Sequence, residues 1–393
     1  MKVPIYSGLF FYPLSLLSIR ITLKKPIYFD YAATTPVHAD VLKAMLPYFS
    51  EEFGNAGSSQ HYYGWAAEEA IETSRKKISS YFGVQARQVV FTSGATEANN
   101  LCILGYLKDR PKGHLVTSSI EHKAVLQVFQ ELAHQGWSVT YLQPNALGCI
   151  EVSDLEQSIC SDTVLISLMM VNNETGNVTD FQSISRICKQ ASIIFHSDAT
   201  QAIGKLDLTQ YEHLPDLLSF SGHKIYGPKG IGGIIFNSNV ALKPLTYGGG
   251  QERGLRPGTL PVQQIVALAA CFDLMPVLIE SLEQVSAYKS RIVKGLHGEF
   301  VLNSAGNESV PHILNISIPK MDWEDLYRRI PAIAVSNGSA CNAKSQMPSH
   351  VMKAVGHSDA LALSTLRISL SYLTQESDVD FLIDYLNKQL FDR

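Results

Sequence analysis

Hydrophobic and polar positions alternate in blocks along most of this chain. From about Tyr28 onward, short continuous apolar runs are separated by longer amphipathic stretches. "QVVFTSG" (88–94), "HLVTSSI" (114–120), "TVLISLMMV" (163–171), "SIIFHSDA" (192–199), "LLSFSGHK" (217–224) and "GIGGIIF" (230–236) read as strands buried on both faces. "GWAAEEAIETSRKKISSYFG" (64–83) has the period of a covering helix. Strand and helix in alternation predict an α/β fold with a mostly parallel central sheet. After about Leu274 a long helical pattern leads to "HILNISI" (312–318), a polar loop and "LRISLSYLTQESDVDFLIDYL", which predict a smaller α+β C-terminal domain. The expected division is an extension over 1–25, a large domain over 26–273 and a small one over 274–393.

In such sheets ligands bind beyond the carboxyl ends of the strands, so the polar residues there are the candidates. "FTSGATEANN" sets Gly94, Ala95 and Thr96 between a strand and a helix expected to begin near Thr96 or Glu97. Backbone N–H groups at that positive end suit a phosphate, although a tight turn with a threonine cap explains the same letters. "FHSDATQ" ends a strand on Asp198, a carboxylate costly to bury unless paired with a cation or used to cap a helix. "SFSGHKIYGPKGIGG" supplies Ser221, His223 and Lys224, and a lysine at a buried strand end can form a Schiff base with an aldehyde. Gly222 and Gly227 have P-loop spacing, but Pro228 stands where that motif needs its lysine. "SSIEHKAV" adds His122, and "MMVNNETGNV" adds Asn173. "GGGQERGLRPGTLP" (248–261) reads as a binding loop or subunit contact. Together a phosphate cradle, a ring-nitrogen carboxylate, a lysine and a stacking histidine are what pyridoxal phosphate (PLP) chemistry requires.

Composition narrows the classes. The 393 residues carry a formal net charge of −4, with 46% hydrophobic and 17% charged residues, an ordinary globular balance without the basic stripe of a nucleic-acid binder. The six cysteines form no C-x-x-C pair, so neither a disulfide scaffold nor a structural zinc site is expected, and scattered thiols fit a reducing, cytoplasmic compartment. Residues 1–25 hold a short apolar run with basic ends, too short to span a bilayer, and read as a dispensable extension. One cysteine stands apart: in "SNGSACNAKSQMPSH" (336–350), Cys341 is surrounded by small and polar residues that cannot form a core.

These motifs are similar, in order and over about 26–380, to those of the cysteine desulfurases among the fold-type I PLP enzymes. "YFDYAATTPV", "FGNAGSSQH", "EHKAV", "NNETG", "DATQAIGK", "SFSGHKIYGPKGIG", "GGGQERGLRPGT", "LNIS" and "GSAC" carry the resemblance. It implies PLP as cofactor, free L-cysteine as substrate, L-alanine as product and a persulfide on Cys341. It assigns Lys224 to the Schiff base, Asp198 to the ring nitrogen, Gln201 to the ring hydroxyl and His122 to stacking and proton transfer. Ala95, Thr96, Ser221 and His223 would hold the phosphate, with Thr259 reaching in from the other subunit of a homodimer. Asn173 and Arg367 would clamp the substrate carboxylate. No intrinsic metal is implied, Cys341 being at most a transient ligand of an iron–sulfur cluster. "GSAC" in a long loop resembles the class that feeds iron–sulfur cluster assembly and tRNA thiolation through protein acceptors, without contact to membrane or nucleic acid. Selenocysteine lyase, another PLP reaction and a low-turnover PLP-bound scaffold are the alternatives. The chain departs from the family's usual pattern at Asn337, Pro257, Ser371 and Tyr372, and none of these is a catalytic group.

Overall fold

The computed structural model describes residues 25–304, 309–338 and 347–392. The expected extension over 1–25, apart from Lys25, and Cys341 lie outside the described residues.

Among the described residues twelve strands form three sheets. After β1 (Ile27–Tyr28) come β2 (Val89–Thr92), β3 (His114–Ser118), β4 (Ser138–Leu142), β5 (Thr163–Ser167), β6 (Ile194–Asp198), β7 (Leu217–Ser221) and β8 (Gly232–Phe236). β9 (Val301–Leu302), β10 (Ile313–Ser317), β11 (Ile333–Ala334) and β12 (Thr365–Ser369) follow. The main sheet has the order β2-β8-β7-β6-β5-β3-β4, and only β8 runs antiparallel to the rest. β2, β3 and β7 are buried along their whole length, as strands covered by helices on both faces must be. β4 has no counterpart among the expected strands. It is an edge strand that, unlike β2 at the other edge, is half-exposed and rich in hydroxyls, so its sequence lacks the apolar run that marks the others.

Helix Tyr62–Tyr81 covers the sheet with Ala67, Ile71 and Ile78, an apolar stripe at helical spacing. His61 Nδ1 caps its start by accepting from Gly64 N at 3.3 Å. The run Val262–Glu280 is long and apolar enough to cross a membrane, yet half of it is buried inside the fold, where its first helix packs on the helices at Ala39–Met45 and Tyr62–Tyr81.

β9, β10 and β12 make a small antiparallel sheet with its own core of Leu314, Ile316, Leu366, Ile368 and Leu382. β1 pairs in parallel with β11, and Phe29 packs into this second core, so the first described segment is held by the C-terminal part of the chain. The carboxyl ends of the large sheet and the start of the cysteine-bearing stretch therefore meet across one cavity.

Candidate active site

A cavity of about 450 Å³ opens at the carboxyl ends of the parallel strands. Ala95, Thr96, His122, Asn173, Asp198, Gln201, Ser221, His223, Lys224 and Arg367 all line it. Thr259 does not; it is exposed in the loop 248–261. Among the residues that bracket Cys341, Gly338 and His350 line the cavity.

Its floor is built by strand ends. β2 runs into the turn at Gly94 and the helix Ala95–Leu107, which starts one residue earlier than expected. Gly94 is the cap, with φ +148°, and no side chain satisfies the first-turn N–H groups from this position. That excludes the threonine-cap reading and leaves donors at the helix's positive end open to an anion. The turn rests directly on β8: a Cβ on Gly232 would lie 2.7 Å from Gly94 Cα. Glycine at 232 is what lets the turn sit this deep.

β6 ends on Asp198, which is buried. Its Oδ1 accepts from Thr200 N at 2.9 Å and its Oδ2 from Asn99 Nδ2 at 2.8 Å. No regular helix follows it, so the carboxylate is not a helix cap. β7 ends in the tight turn Gly222–Lys224, and Lys224 Nζ donates to the carbonyls of Ala32 and Ala33 at 2.6 and 2.7 Å.

His122 serves two readings at once. It caps helix Lys123–His134, its Nδ1 accepting from Ala124 N at 3.1 Å, and it lines the cavity. A ring nitrogen that accepts carries no proton, so in the neutral ring the exchangeable proton sits on Nε2. Burial lowers the His122 pKa, with Asp198 opposing and Lys224 adding to the shift. His223 is pushed down to about 4 by burial, then by the charges of Lys224, Lys229 and Lys205, and its Nδ1 lies 3.1 Å from Thr34 Oγ1. Both rings are therefore neutral at pH 7.

Arg367, on β12, is 2% exposed. Its Nη2 donates to Asp30 Oδ1 at 2.8 Å, and its Nη1 donates to the carbonyls of Asn173 at 2.8 Å and Gly338 at 3.3 Å. Glu174 lies beside it with its carboxyl pKa raised, burial outweighing the hydrogen bond from Ser349 and the charges of His350, Arg367 and Lys123. Ser349 Oγ donates to Glu174 Oε2 at 2.5 Å, and a Cβ on Gly338 would lie 2.7 Å from the same oxygen. The two described ends of the cysteine-bearing stretch thus converge on one carboxyl group.

The residues fit a PLP-sized ligand. Thr200 Oγ1, Gln201 Oε1 and Arg367 Nε are buried polar atoms without a hydrogen-bond partner among the described residues, and all three residues line the cavity. Such orphaned atoms are costly unless a ligand meets them. Thr200, Asn99, Asp30, Glu174 and His350 were not singled out in the sequence. Asn99 left a weak signal there, an amide just before the apolar run Leu101–Leu104 of its helix, but its partner is 99 residues away. Asn172, beside the expected Asn173, shapes the turn: its Oδ1 accepts from the N–H groups of Glu174 and Thr175.

The model of the aminotransferase class-V family matches residues 27–382. The cysteine desulfurase IscS of Buchnera aphidicola subsp. Schizaphis graminum is 44% identical over 377 residues, 94% of this chain and 93% of that protein. The chain belongs to the aminotransferase class-V family, among its cysteine desulfurases. Members of this family are PLP-dependent in general. Two solved structures extend the likeness. A NifS-like protein superposes with a TM-score of 0.86 at 32% identity, covering 92% of this chain and 98% of the other. The structure titled "SspA in complex with cysteine" does so with a TM-score of 0.78 at 39% identity, covering 89% and 100%. The architecture expected of a fold-type I PLP enzyme, with a mostly parallel central sheet, is the one observed.

Proposed function

We propose that this desulfurase binds PLP in the cavity at the strand ends and uses it to move the sulfur of free L-cysteine onto Cys341, releasing L-alanine. The observation that carries the reading is the convergence, in one cavity, of an uncapped helix N-terminus at Gly94, the buried Asp198, Lys224 and Arg367.

Bound there, PLP supplies an electron sink for the bonds to be broken in the amino acid. Lys224 would hold the cofactor through its aldehyde, and its amine is the group placed to take up the substrate's α-proton. Asp198 would meet the ring nitrogen, Gln201 the ring hydroxyl, and His122 would stack on the ring with its Nε2 proton available for exchange. The backbone at Ala95 and Thr96, with Ser221 and His223, holds the phosphate; a neutral His223 serves as a donor without adding charge. Arg367 and Asn173 orient the substrate carboxylate, the planar guanidinium suiting two parallel hydrogen bonds.

The sulfur step balances within the chain. Cys341 as thiolate forms a bond to the substrate sulfur, the substrate's C–S bond breaks, and its electron pair stays on carbon to be protonated. Gly338 and His350, which bracket Cys341, line the cavity and support its placement in this role. The sulfur then passes to a protein acceptor of the cluster-assembly or thiolation type, in the cytoplasm. Cys102, Cys160, Cys188 and Cys271 are free thiols, in keeping with a reducing compartment.

We infer a homodimer as well. Thr259 is exposed and outside its own chain's cavity, while Phe49, Phe53, Tyr62 and Trp65 are 55–63% exposed in one short region. Large aromatics left in the open mark a contact surface. The domain division we adopt lies between 273 and 274, with the segment around β1 crossing to the second core.

The test is chemical. Purified protein supplied with PLP should turn yellow and release alanine and sulfide from L-cysteine under reductant, and Cys341→Ala should abolish sulfide release. Full sulfide release by Cys341→Ala sinks the persulfide route.

A further inference from the structure

Beyond Asp198, the carboxylate proposed for the ring nitrogen, lies a chain of buried polar groups that the reaction as described does not use. Asp198 Oδ2 accepts from Asn99 Nδ2 at 2.8 Å. Asn99 Oδ1 in turn accepts the hydroxyl of Ser219. Ser219 Oγ lies 3.2 Å from His196 Nε2, and His196 Nδ1 lies 2.8 Å from Ser167 Oγ. Asn99, His196 and Ser219 are 0% exposed and Ser167 is 1% exposed. The residues come from one helix and three adjacent parallel strands, β5, β6 and β7.

The direction of every hydrogen in this chain is fixed by elimination. A carboxylate has only lone pairs, so Asn99 must turn its NH₂ toward Asp198 and its oxygen toward Ser219. Ser219 must then donate, and having spent its one proton it can only accept from His196. That places the ring proton on Nε2. Burial holds the His196 pKa down to about 4, so the ring is neutral at pH 7 and its Nδ1 is an acceptor for Ser167. All four donated bonds therefore point the same way. Donors aligned in one direction polarise one another, and the last of them meets the charge.

We propose that Ser167, His196, Ser219 and Asn99 form a one-directional donor chain that positions Asp198 toward the cofactor ring, making Asn99 and His196 positioning residues. The proposal rests on the reading of Asp198 given above. A merely structural network would need its polar atoms satisfied, in either direction. This one needs its polarity, and polarity is testable.

The experiment uses the holoenzyme and reads two quantities besides turnover: the dissociation constant of PLP and the absorption band of the bound cofactor. Asn99→Asp keeps the shape but cannot donate as a carboxylate, and should weaken PLP binding about tenfold or more and shift the band. His196→Leu should do the same to a lesser degree. His196→Gln, whose amide can donate to Ser219 and accept from Ser167, should restore the wild-type band. If Asn99→Asp does not fold, Ser219→Ala, which deletes a single hydroxyl, takes its place with the same expectation. A band and a dissociation constant within twofold of wild type in both Asn99→Asp (or its substitute) and His196→Leu overturn the proposal, as does His196→Gln behaving like His196→Leu. Asp198→Asn is the separate check: if it is silent, the reading of Asp198 has failed and the chain loses its purpose with it.

Discussion

The cavity has two walls of different character. The wall from the large sheet offers Asp198, Gln201, His223, Lys224 and an uncapped helix end, and its Thr200 Oγ1 and Gln201 Oε1 have no partner among the described residues. The wall from the small sheet offers Arg367, which already spends both terminal nitrogens on Asp30, Asn173 and Gly338. On one wall polar atoms and backbone donors stand open to a ligand. On the other the terminal nitrogens of Arg367 are taken and only its Nε is left without a partner among the described residues, so an incoming carboxylate must compete with existing partners. A tightly held cofactor and a substrate that arrives and leaves each turnover want this difference.

The first wall is broken most completely at Lys224. Lys224→Ala should lower sulfide release by at least the roughly 10²–10⁴-fold of a lost proton-transfer group and abolish the yellow colour, with the melting temperature little changed. Retained turnover would mean that the strand-end wall is not the catalytic one.

The second wall is sharpened by Arg367→Lys. A point charge cannot replace the planar fork, and the lost charged hydrogen bonds should lower kcat/KM for L-cysteine about 10- to 100-fold, mainly through KM. Asp30→Asn keeps an acceptor and should move KM only a few-fold. If the two variants behave alike, Arg367 holds the fold rather than the substrate.

The boundary between the walls is probed by a pair of glycines. Gly338 has φ +88° and would place a Cβ against Glu174, whereas Gly83 has φ +65° and nothing within 4 Å. Gly83→Ala should cost about 1–2 kcal/mol from backbone strain alone. Gly338→Ala should cost more, and should slow sulfide release as well. Equal losses of melting temperature would show that the Glu174 contact is not tight.

The smallest expected effect is a slope with pH. Burial raises the Glu121 pKa to about 8, above its ordinary 4.5, despite hydrogen bonds from Met169 N and Ser118. The folded state therefore holds a proton that the unfolded state loses, so this group's stabilisation is present below about pH 4.5 and is lost as pH rises through 8. Glu121→Gln should gain on wild type over that window, by at most about 1.4 kcal/mol per pH unit. His196 and His223 act in the opposite sense: both pKa values fall to about 4 from 6.5, so their contribution is lost on acidification between those values. Denaturant midpoints measured from pH 4 to 8 check both signs.

Much of this protein was legible from its letters because the large sheet is local in its logic. Each buried parallel strand reads as a continuous apolar run, and each useful side chain sits at the residue where the run stops. That rule alone picked out Asp198, Ser221 and Lys224, while His122 was found at the start of the helix Lys123–His134. β4 escaped it because an edge strand is half wet, and Thr259 found no place in the cavity of its own chain.

What the sequence determined by itself was the position of most buried strands of the large sheet, the ends at which polar groups accumulate and the residue types that PLP chemistry needs. Only the tertiary structure decided which atoms are satisfied and which are not. Asn99 meets Asp198, Asp30 meets Arg367 across 337 residues, and Glu174 meets both Gly338 and Ser349. The physical reason is that a hydrogen bond is fixed by distance and direction in space, and strand periodicity carries no information about which distant residue will supply the other half.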